Sequence, residues 1–316
     1  MNHIACETRR FFLRSISSIS TAWLAAAPCT AGAEPERVPW PAGTELPRTK
    51  APANATDCHH HIYESRFPPD PKAKLRPGDA TVADYRLLEK RIGIARNVIV
   101  QPSTYGTDNR CLIEALRQFG LRATRGVAVV NTAVTDAELK RLDTAGVRGI
   151  RFNLVQAGAT TPDMIEPLSK RIEALGWHIQ INASPEQIVA LEKVWVRSPV
   201  PVVFDHLGHV AGADWHDLAF RTISRSIEVG KGWVKLSGAY IDTKVGPPSY
   251  SDRTAPAKAY VKEAPGRLVW GSDWPHPTAS EKPDDAILFD LLTDWAPDER
   301  TRTRILVENP ARLYGF

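Results

Sequence analysis

Short β-branched apolar segments alternate with segments of helical periodicity along most of the chain, and this alternation limits the fold more than any other feature. Eight apolar segments predict strands, at Asp57–Tyr63, Arg96–Gln101, Arg125–Val130, Arg148–Leu154, His178–Asn182, Val202–His206, Trp233–Gly238 and Leu268–Ser272. Helices are predicted at Val82–Arg91, Asn109–Phe119, Asp136–Thr144, Pro162–Leu175, Pro185–Val196, Asp217–Glu228 and Asp284–Trp295. Alternating strands and helices are typical of a parallel sheet covered on both faces. Eight strands in about 250 residues favour an α/β fold of the closed (β/α)8 type, a TIM barrel in a single domain.

The composition fits one globular domain and excludes several other classes of protein. The chain has 316 residues, of which 43% are hydrophobic and 24% charged, and its formal net charge is +4. It therefore has enough apolar side chains for a large core, but too little positive charge for a nucleic-acid scaffold. It contains no run of about 18 apolar residues that would span a membrane permanently. No predicted strand is followed by a G-x-G-x-x-G turn, so a dinucleotide-binding sheet has little support.

Residues 1–33 resemble a twin-arginine export signal. Arg9 and Arg10 precede Phe11-Phe12-Leu13, a weakly apolar stretch follows, and Ala31-Gly32-Ala33 has the pattern of a cleavage site. We therefore expect a signal peptide at 1–33, the twin-arginine machinery as a partner, and a periplasmic protein exported in the folded state. A frayed basic N-terminus and a lipid anchor on Cys29 are the alternatives.

Residues 34–56 form a Pro-rich lead-in that cannot be helical and that we expect along the surface, before a barrel at 57–316. Two of the four cysteines, Cys58 and Cys111, fall within the barrel region. Two cysteines do not make a disulfide framework, and the sequence leaves open whether they pair.

Polar residues at the predicted strand ends mark the candidate site, because TIM-barrel chemistry lies at the carboxyl ends of the strands. Strand one ends in Asp57-Cys58-His59-His60-His61. A side-chain period of two directs His59 and His61 toward the barrel axis, and Cys58 and His60 outward. We assign His206 to the end of strand five and Asp273 to the end of strand eight. Three imidazoles and one carboxylate then converge at one end of the barrel.

These motifs together resemble the amidohydrolase superfamily, a group of metal-dependent-hydrolase-like TIM barrels. The resemblance rests on the strand-one histidines, Asp205-His206, Gly271-Ser272-Asp273-Trp274-Pro275-His276 and the terminal Asn309-Pro310-Ala311-Arg312-Leu313-Tyr314. It runs from about Asp57 to Phe316. Within the superfamily, the chain is most similar to the branch of pyrone dicarboxylate lactonase and the sugar-acid lactone hydrolases and isomerases.

The resemblance implies two alternative mechanisms. In metal-dependent members, a single divalent ion, usually zinc, would be held by His59, His61, His206 and Asp273. In the lactonase branch no metal is needed: Asp273 activates water, and the three histidines polarise the lactone carbonyl. We favour the second mechanism, with no cofactor, and keep zinc as the alternative.

A two-metal site has little support in the sequence. Such a site would add a bridging carboxylate or carboxylated lysine from strand four and a histidine from strand six. We take strand four as 178–183 and strand six as 235–238, and neither contains the required ligand.

The same strand-end reasoning supplies substrate-binding candidates. Arg148 and Arg151 have opposite parity on one strand, which we number three, and Arg151 lies nearer the strand end, where it would pair with a substrate carboxylate. The other candidates, from the remaining strand ends, are Ser103, Tyr105, Asn182, Tyr240 and His276. One inward cation among neutral groups suits a monoanionic, polyhydroxylated ligand, with Arg253 or Lys244 as a possible second cation.

We therefore predict a hydrolase that opens a carboxylate-bearing lactone, of the sugar-acid or pyrone type, with water activated by Asp273. Three alternatives stay open. A lactone isomerase would use an internal hydroxyl as the nucleophile, a decarboxylase of the same superfamily would need zinc, and a non-catalytic barrel would only bind a ligand.

Overall fold

The computed structural model describes residues 37–156, 158–212 and 217–316, which fold as a (β/α)8 barrel. The predicted signal peptide at 1–33 lies outside the described residues. Eight parallel strands follow one another around the sheet in chain order. They are β1 (Thr56–His60), β2 (Arg96–Val100), β3 (Thr124–Ala128), β4 (Val147–Asn153), β5 (His178–Asn182), β6 (Val202–Phe204), β7 (Gly232–Leu236) and β8 (Leu268–Trp270).

The segment that follows β8 closes the sheet against β1. Asp273 N donates to His59 O at 2.7 Å, and His61 N donates to Trp274 O at 2.8 Å. A parallel bridge between His60 and Trp274 lies at the same place. The barrel closes at its carboxyl end, where the candidate site residues were expected.

Helices cover the outer face of the sheet. Thr81 caps α1 in a reciprocal arrangement with Asp84, and Ser184 does the same for α5 with Gln187. The predicted helix Pro162–Leu175 is α-helical only in its central part, and Pro185–Val196 divides into two helices. The helices are α1 (Val82–Ile92), α2 (Arg110–Phe119), α3 (Asp136–Thr144), α4 (Ile165–Ile172), α5 (Pro185–Ala190), α6 (Glu192–Arg197), α7 (Leu218–Glu228), α8 (Thr254–Glu263), α9 (Asp285–Trp295), α10 (Glu299–Thr303) and α11 (Asn309–Tyr314).

The numbering of the strands that carry site residues was wrong from strand three onward. Arg151 lies on β4, Asn182 ends β5, His206 follows β6, and Tyr240 follows β7. Each was assigned one strand too early, because β3 ends without a polar side chain and was left out of that count. The true β4 contains neither lysine nor carboxylate, so that part of the sequence argument against a two-metal site still holds. The other part was wrong, because His206 follows the true sixth strand, β6.

A bulge in β1 changes which side chains face the barrel interior. Asp57 pairs with Asn97 and His60 with Ile99, so two residues of β1 oppose one residue of β2. Cys58 and His59 therefore both point inward, and the prediction that Cys58 points outward was wrong. Cys58 packs with interior side chains of strands from around the barrel, Val98, Val100, Val127, Val203 and Val269. Cys58 and Cys111 are both buried and free.

The barrel interior has an apolar layer and a polar layer. Valines fill the first, which Tyr314 of α11 contacts. The second contains buried His59, Arg151, Gln180, Asp205 and Lys235. The side chains that face the helices are apolar on most strands and join the main core. Inside the barrel, the charged side chains of Arg151, Asp205 and Lys235 thus lie in the layer beside the candidate site.

Residues 37–55 of the lead-in form neither helix nor strand and pack beside α9. Ala42 N donates to Pro283 O at 2.9 Å, and Arg48 N and Thr49 N donate to the carboxylate of Asp290. In the described part of the chain, no helix has the length and apolarity needed to cross a membrane.

Candidate active site

Asp273 lies at the centre of the predicted constellation. It has a left-handed backbone conformation, with φ of 63°, and its side chain is almost fully buried. His61 Nε2 lies 3.3 Å and His59 Nε2 3.5 Å from Asp273 Oδ1, and His206 Nε2 lies 4.0 Å from Oδ2. The hydroxyl of Tyr240 donates to Oδ2 at 2.6 Å. The structure brings the four predicted catalytic side chains together around one carboxylate.

The charge state of Asp273 follows from these neighbours. Burial alone would raise its pKa, but the imidazoles of His206, His61 and His59 hold the pKa well below its usual range. Asp273 is therefore ionised at neutral pH and able to accept a proton.

The other ring nitrogens of the histidines are held by different elements. His61 Nδ1 donates to the carbonyl oxygen of Val100 at 2.8 Å, since a carbonyl can only accept. His206 Nδ1 lies 3.0 Å from Ser237 Oγ. Burial lowers the pKa of His206 to about 4, so this ring is neutral at neutral pH. Gly238 makes room for it: a Cβ there would lie 2.6 Å from His206 Nδ1, and the φ of +65° also disfavours other residues.

A buried charge cluster of Asp205, Lys235 and Arg151 lies beneath His59. Lys235 Nζ donates to Cys58 O at 2.8 Å and lies 3.3 Å from His59 Nδ1 and 3.6 Å from Asp205 Oδ1. Arg151 Nε donates to Asp205 Oδ2 at 3.2 Å.

Each member of this cluster affects the protonation of the others. Burial would raise the pKa of Asp205, but His59, Lys235 and Arg151 hold it well below its usual range. Burial lowers the pKa of His59 far below its usual range, and the positive charge of Lys235 lowers it further. His59 is therefore a neutral imidazole above an ionised carboxylate.

Three of these residues also fit a divalent metal ion. The donor atoms of His59, His206 and Asp273 lie within 4.8 Å of one another. His59 Nε2 is buried without a hydrogen-bond partner, as expected of an atom that awaits a ligand. Neutral imidazoles and an ionised carboxylate are the forms that bind zinc.

A cavity of about 120 Å³ opens above Asp273. It contains three of the predicted substrate-binding residues, Ser103, Arg151 and Asn182, in its wall. Its other walls include His61, Tyr63, Asn153, His206, His209, Ile241 and Thr278. The cavity thus joins the catalytic constellation to a cation and to neutral polar side chains.

Other predicted substrate contacts do not line this cavity. The hydroxyl of Tyr105 donates to Glu64 O at 3.2 Å and accepts from Glu64 N at 2.9 Å, so it holds the loop after β1. His276 is fully buried, with Nε2 3.1 Å from Asp285 Oδ1. Tyr240 reaches the site only through its bond to Asp273.

The two alternative cations also lie elsewhere. Arg253 is buried and donates to Val210 O at 2.8 Å, and Lys244 is exposed. Neither lines the cavity above Asp273.

Sequence reasoning missed several polar residues of the site, notably Asp205, Lys235, Asn153 and His209. Lys235 carried a usable signal, because a lysine between Val234 and Leu236 in a buried strand faces the barrel interior. His209 lies in a short loop of left-handed residues after β6, and nothing in its local sequence indicates where its ring points.

Comparisons with known proteins find relatives along the whole barrel. The sequence profile of the amidohydrolase family matches residues 56–316. A 2-pyrone-4,6-dicarboxylate hydrolase from Comamonas testosteroni is 37% identical over 291 residues, covering 87% of this chain and 94% of the relative. A 4-sulfomuconolactone hydrolase from Rhizobium radiobacter is 34% identical over 273 residues, covering 84% and 91%.

An isomerase and a solved structure are also similar to the chain. A D-galactarolactone isomerase from Agrobacterium fabrum is 30% identical over 278 residues, covering 85% of this chain and 93% of the relative. The crystal structure of a probable 2-pyrone-4,6-dicarboxylic acid hydrolase from Acinetobacter baumannii, with citric acid bound, has a TM-score of 0.74 and 27% identity, and covers 83% of this chain and 100% of that one.

Proposed function

The chain belongs to the amidohydrolase family, and we propose that it is a hydrolase that opens a carboxylate-bearing lactone with water activated by Asp273. The observation that carries this proposal is an ionised, buried carboxylate surrounded by three imidazoles at the base of a cavity that also contains Arg151. Relatives named as hydrolases of a pyrone dicarboxylate and of a sulfomuconolactone support the substrate class.

The proposed reaction is a general-base hydrolysis. The oxygen of water attacks the lactone carbonyl carbon while Asp273 takes one proton from it. The bond between that carbon and the ring oxygen then breaks, and the leaving oxygen receives the proton back from Asp273. Because the pKa of Asp273 is depressed, the carboxylate is a weak base, and the carbonyl must be strongly polarised for water to attack.

The histidines and Arg151 have separate roles in this scheme. N–H groups of His59 and His206 polarise the carbonyl and stabilise the developing oxyanion in a buried site, where such donors are most effective. His61 donates from Nδ1 to Val100 O and holds its Nε2 edge against Asp273 instead. Arg151 binds the substrate carboxylate, since its guanidinium lines the cavity while its Nε is anchored to Asp205.

We propose that this reaction proceeds without a metal, and the balance of buried charge supports this. The anions Asp205 and Asp273 lie beside the cations Lys235 and Arg151, and burial keeps His59 and His206 neutral. A dication would add uncompensated charge close to the ammonium of Lys235. If His59, His206 and Asp273 held zinc instead, the metal would supply Lewis-acid polarisation and a more acidic water.

A lactone isomerase is the second candidate. The relative named as a galactarolactone isomerase supports it. A substrate hydroxyl would replace water as the nucleophile and give its proton to Asp273. The bond between the carbonyl carbon and the original ring oxygen would then break, and that oxygen would receive the proton back from Asp273.

A panel of carboxylate-bearing lactones, of the pyrone, muconolactone and sugar-acid types, tests these proposals. The purified protein is assayed by product analysis before and after exhaustive chelation, with its metal content measured by elemental analysis. We expect ring opening of at least one lactone, unchanged by chelation, with far less than one equivalent of zinc bound. Loss of activity on chelation, restored by zinc, would replace the metal-free mechanism and make the decarboxylase reaction the next one to assay.

We also propose that the protein is exported to the periplasm by the twin-arginine route. The support is the Arg9-Arg10-Phe11-Phe12-Leu13 motif in the sequence. Changing Arg9 and Arg10 together to lysine should leave the precursor in the cytoplasm, as measured by cell fractionation. An unchanged periplasmic yield, or a native protein that still begins at Met1, would contradict this route.

A further inference from the structure

Four side chains on one wall of the cavity form a continuous hydrogen-bonded row, here called the wall row: Ser103, Asn153, Asn182 and His209. Asn153 Nδ2 donates to Ser103 Oγ at 2.8 Å, and Asn182 Nδ2 donates to Asn153 Oδ1 at 3.1 Å. His209 Nε2 lies 2.7 Å from Asn182 Oδ1. All four residues line the cavity, whereas Asp242, whose Oδ2 lies 2.8 Å from His209 Nδ1, does not.

Two groups that contact the wall row allow only one direction of donation. The carboxylate of Asp242 can only accept, so His209 Nδ1 must carry a hydrogen. The backbone N–H of Gln156 can only donate, and it contacts Asn153 Oδ1 at 3.3 Å, so that atom is the carbonyl oxygen. Asn182 must then turn its amide nitrogen toward Asn153 and its oxygen toward His209. His209 Nε2 must therefore donate as well, which makes the ring an imidazolium.

The carboxylate of Asp242 is in the state that this argument requires. Burial would raise its pKa, but the hydrogen bond and charge of His209 hold the pKa below its ordinary value. The ion pair is partly shielded from water, since the His209 side chain is 11% exposed and that of Asp242 is 32% exposed.

The fixed direction determines what the wall row presents to a ligand. The amide oxygens are used within the row, so the hydrogens left over are one on Asn182 Nδ2, one on Asn153 Nδ2 and the hydroxyl hydrogen of Ser103. Among the described residues, no acceptor is paired with these hydrogens. The wall therefore offers hydrogen-bond donors beside the positive charge of His209, and acceptor-rich groups match it best.

We propose that Asp242 is a positioning residue for substrate selection, which acts through His209 to hold the wall row with its donors toward the cavity. The wall row then selects a ligand with a carboxylate or sulfonate group at this wall over one with hydroxyls. This inference rests on the proposed function only in that the cavity is taken as the substrate site.

The first test is the binding of propane-1,2,3-tricarboxylate to the full folded protein by isothermal titration calorimetry, with erythritol as a polyol of similar size. Asp242→Asn keeps the shape of the side chain, but its amide can also donate, so the wall row loses its fixed direction. We expect the Kd for the tricarboxylate to rise about tenfold or more in Asp242→Asn. Asp242→Glu, which keeps the acceptor, should recover part of that loss, and erythritol should not bind measurably.

The same loop provides a matched control variant. Asp252 accepts from Thr243 Oγ1 at 2.7 Å and from Lys244 N at 2.7 Å, so it orders the loop without contacting the wall row. Asp252→Asn should leave the Kd for the tricarboxylate within about twofold of the wild-type value, because charged hydrogen bonds in the cavity are unchanged.

A second test detects the ring protons of His209 directly. In a ¹⁵N–¹H correlation spectrum at about pH 7, assigned with His209→Gln, both ring nitrogens of wild-type His209 should carry protons. This measurement needs neither a ligand nor a folded Asp242 variant.

Several results would overturn the inference. They are a wild-type His209 with one protonated nitrogen, a tricarboxylate Kd unchanged in Asp242→Asn, equally tight binding of erythritol, and no binding of the tricarboxylate to the wild type. A protein that bound the tricarboxylate as expected but opened no lactone would contradict the proposed function and leave this inference intact.

Discussion

Two buried carboxylates flank the junction between β1 and the segment after β8, and their surroundings differ. Asp57 is enclosed beneath α1, where it accepts from His59 N, Ser272 N, Ser272 Oγ and the hydroxyl of Tyr85. Asp273 lines the cavity and has three imidazoles as neighbours. Burial raises the pKa of Asp57 to about 6 despite four donors, whereas the pKa of Asp273 lies well below its usual range.

This difference separates an enclosed carboxylate from the one that we propose as the general base. The donors to Asp57 occupy both of its oxygens, so nothing else can reach them. Asp273 Oδ1 faces imidazoles and a cavity instead. Both are buried aspartates beside the junction between β1 and the segment after β8, but Asp273 alone of the two lines the cavity.

The largest expected effect is a separation of activity between variants of these two carboxylates. Asp273→Asn keeps the shape but removes the proton acceptor, so kcat/KM for the lactone should fall about 10²–10⁴-fold. Asp57→Asn should keep kcat/KM per folded molecule within a few-fold. Steady-state kinetics on both variants, with folded fractions from circular dichroism, checks this. Equal losses in the two variants would remove the distinction between the carboxylates.

The second expected effect is a difference in how stability depends on pH. Because the pKa of Asp57 is raised from 3.8 to about 6, the folded state holds its proton more tightly than the unfolded state does. Wild-type stability should therefore fall, relative to Asp57→Asn, as pH rises from about 4 to about 6, by up to about 3 kcal/mol. Urea unfolding of both proteins across this range measures the change.

Asp273→Asn provides the contrast for that experiment. Its carboxylate has a depressed pKa, so its contribution to stability is present above pH 3.8 and is lost as pH falls below that value. The stability difference between the wild type and Asp273→Asn should stay constant from about pH 4.5 upward. If the stability of the wild type, relative to Asp273→Asn, instead fell as pH rises from about 4 to about 6, the environments of the two carboxylates would have been assigned wrongly.

The pH profile of catalysis separates the carboxylates in a third way. Asp273 must be ionised to act as a base, and the pKa of His206 is about 4, so kcat/KM should stay level down to about pH 5 and fall near pH 4 and below. An acidic limb centred near pH 6 would match the pKa of Asp57 instead and would contradict the assignment of Asp273 as the base.

The smallest expected effect compares two tyrosines, each of which donates to one of the carboxylates. Tyr240→Phe removes the hydroxyl bonded to Asp273 Oδ2 at 2.6 Å and should lower kcat a few-fold to about tenfold, because the base loses one of its fixed contacts. Tyr85→Phe removes the hydroxyl bonded to Asp57 Oδ2 at 2.9 Å and should cost about 1 kcal/mol of stability while leaving kcat unchanged. Kinetics and thermal unfolding of the two variants measure these effects. A loss of kcat in Tyr85→Phe, with kcat unchanged in Tyr240→Phe, would contradict the prediction.

The barrel could be predicted from the sequence because its signal is repeated and local. Each strand is a short run of Val, Ile and neighbouring apolar residues, and all eight predicted strands overlap an observed one. The numbering of the strands that carry site residues was wrong from β3 onward. β3 ends without a polar side chain, so it was not counted among the strands that contribute to the site. Leu191 leaves the helical conformation and divides one predicted helix in two, a break that the periodicity of the sequence does not indicate.

The candidate site was predictable only in part. His59, His61, His206 and Asp273 meet as expected, because strand-end positions in a barrel converge. Cys58 was misplaced, since a bulge of one residue inverts the parity on which the prediction relied. Tyr105 turns to the backbone of Glu64, and the pairing of His209 with Asp242 joins two different loops. Contacts of this kind depend on loop conformation, which side-chain periodicity does not describe.

A single-turnover reaction in H₂¹⁸O, with enzyme in excess over a lactone that the panel identifies as a substrate, tests the central claim most directly. If Asp273 activates water for attack on the lactone carbonyl, the carboxylate formed in the first turnover carries one ¹⁸O atom by mass spectrometry, and Asp273→Asn forms little product in the same time. An unlabelled product would contradict the account. It would mean that the oxygen came from Asp273 itself through a covalent acyl intermediate, or from a hydroxyl of the substrate in an isomerisation.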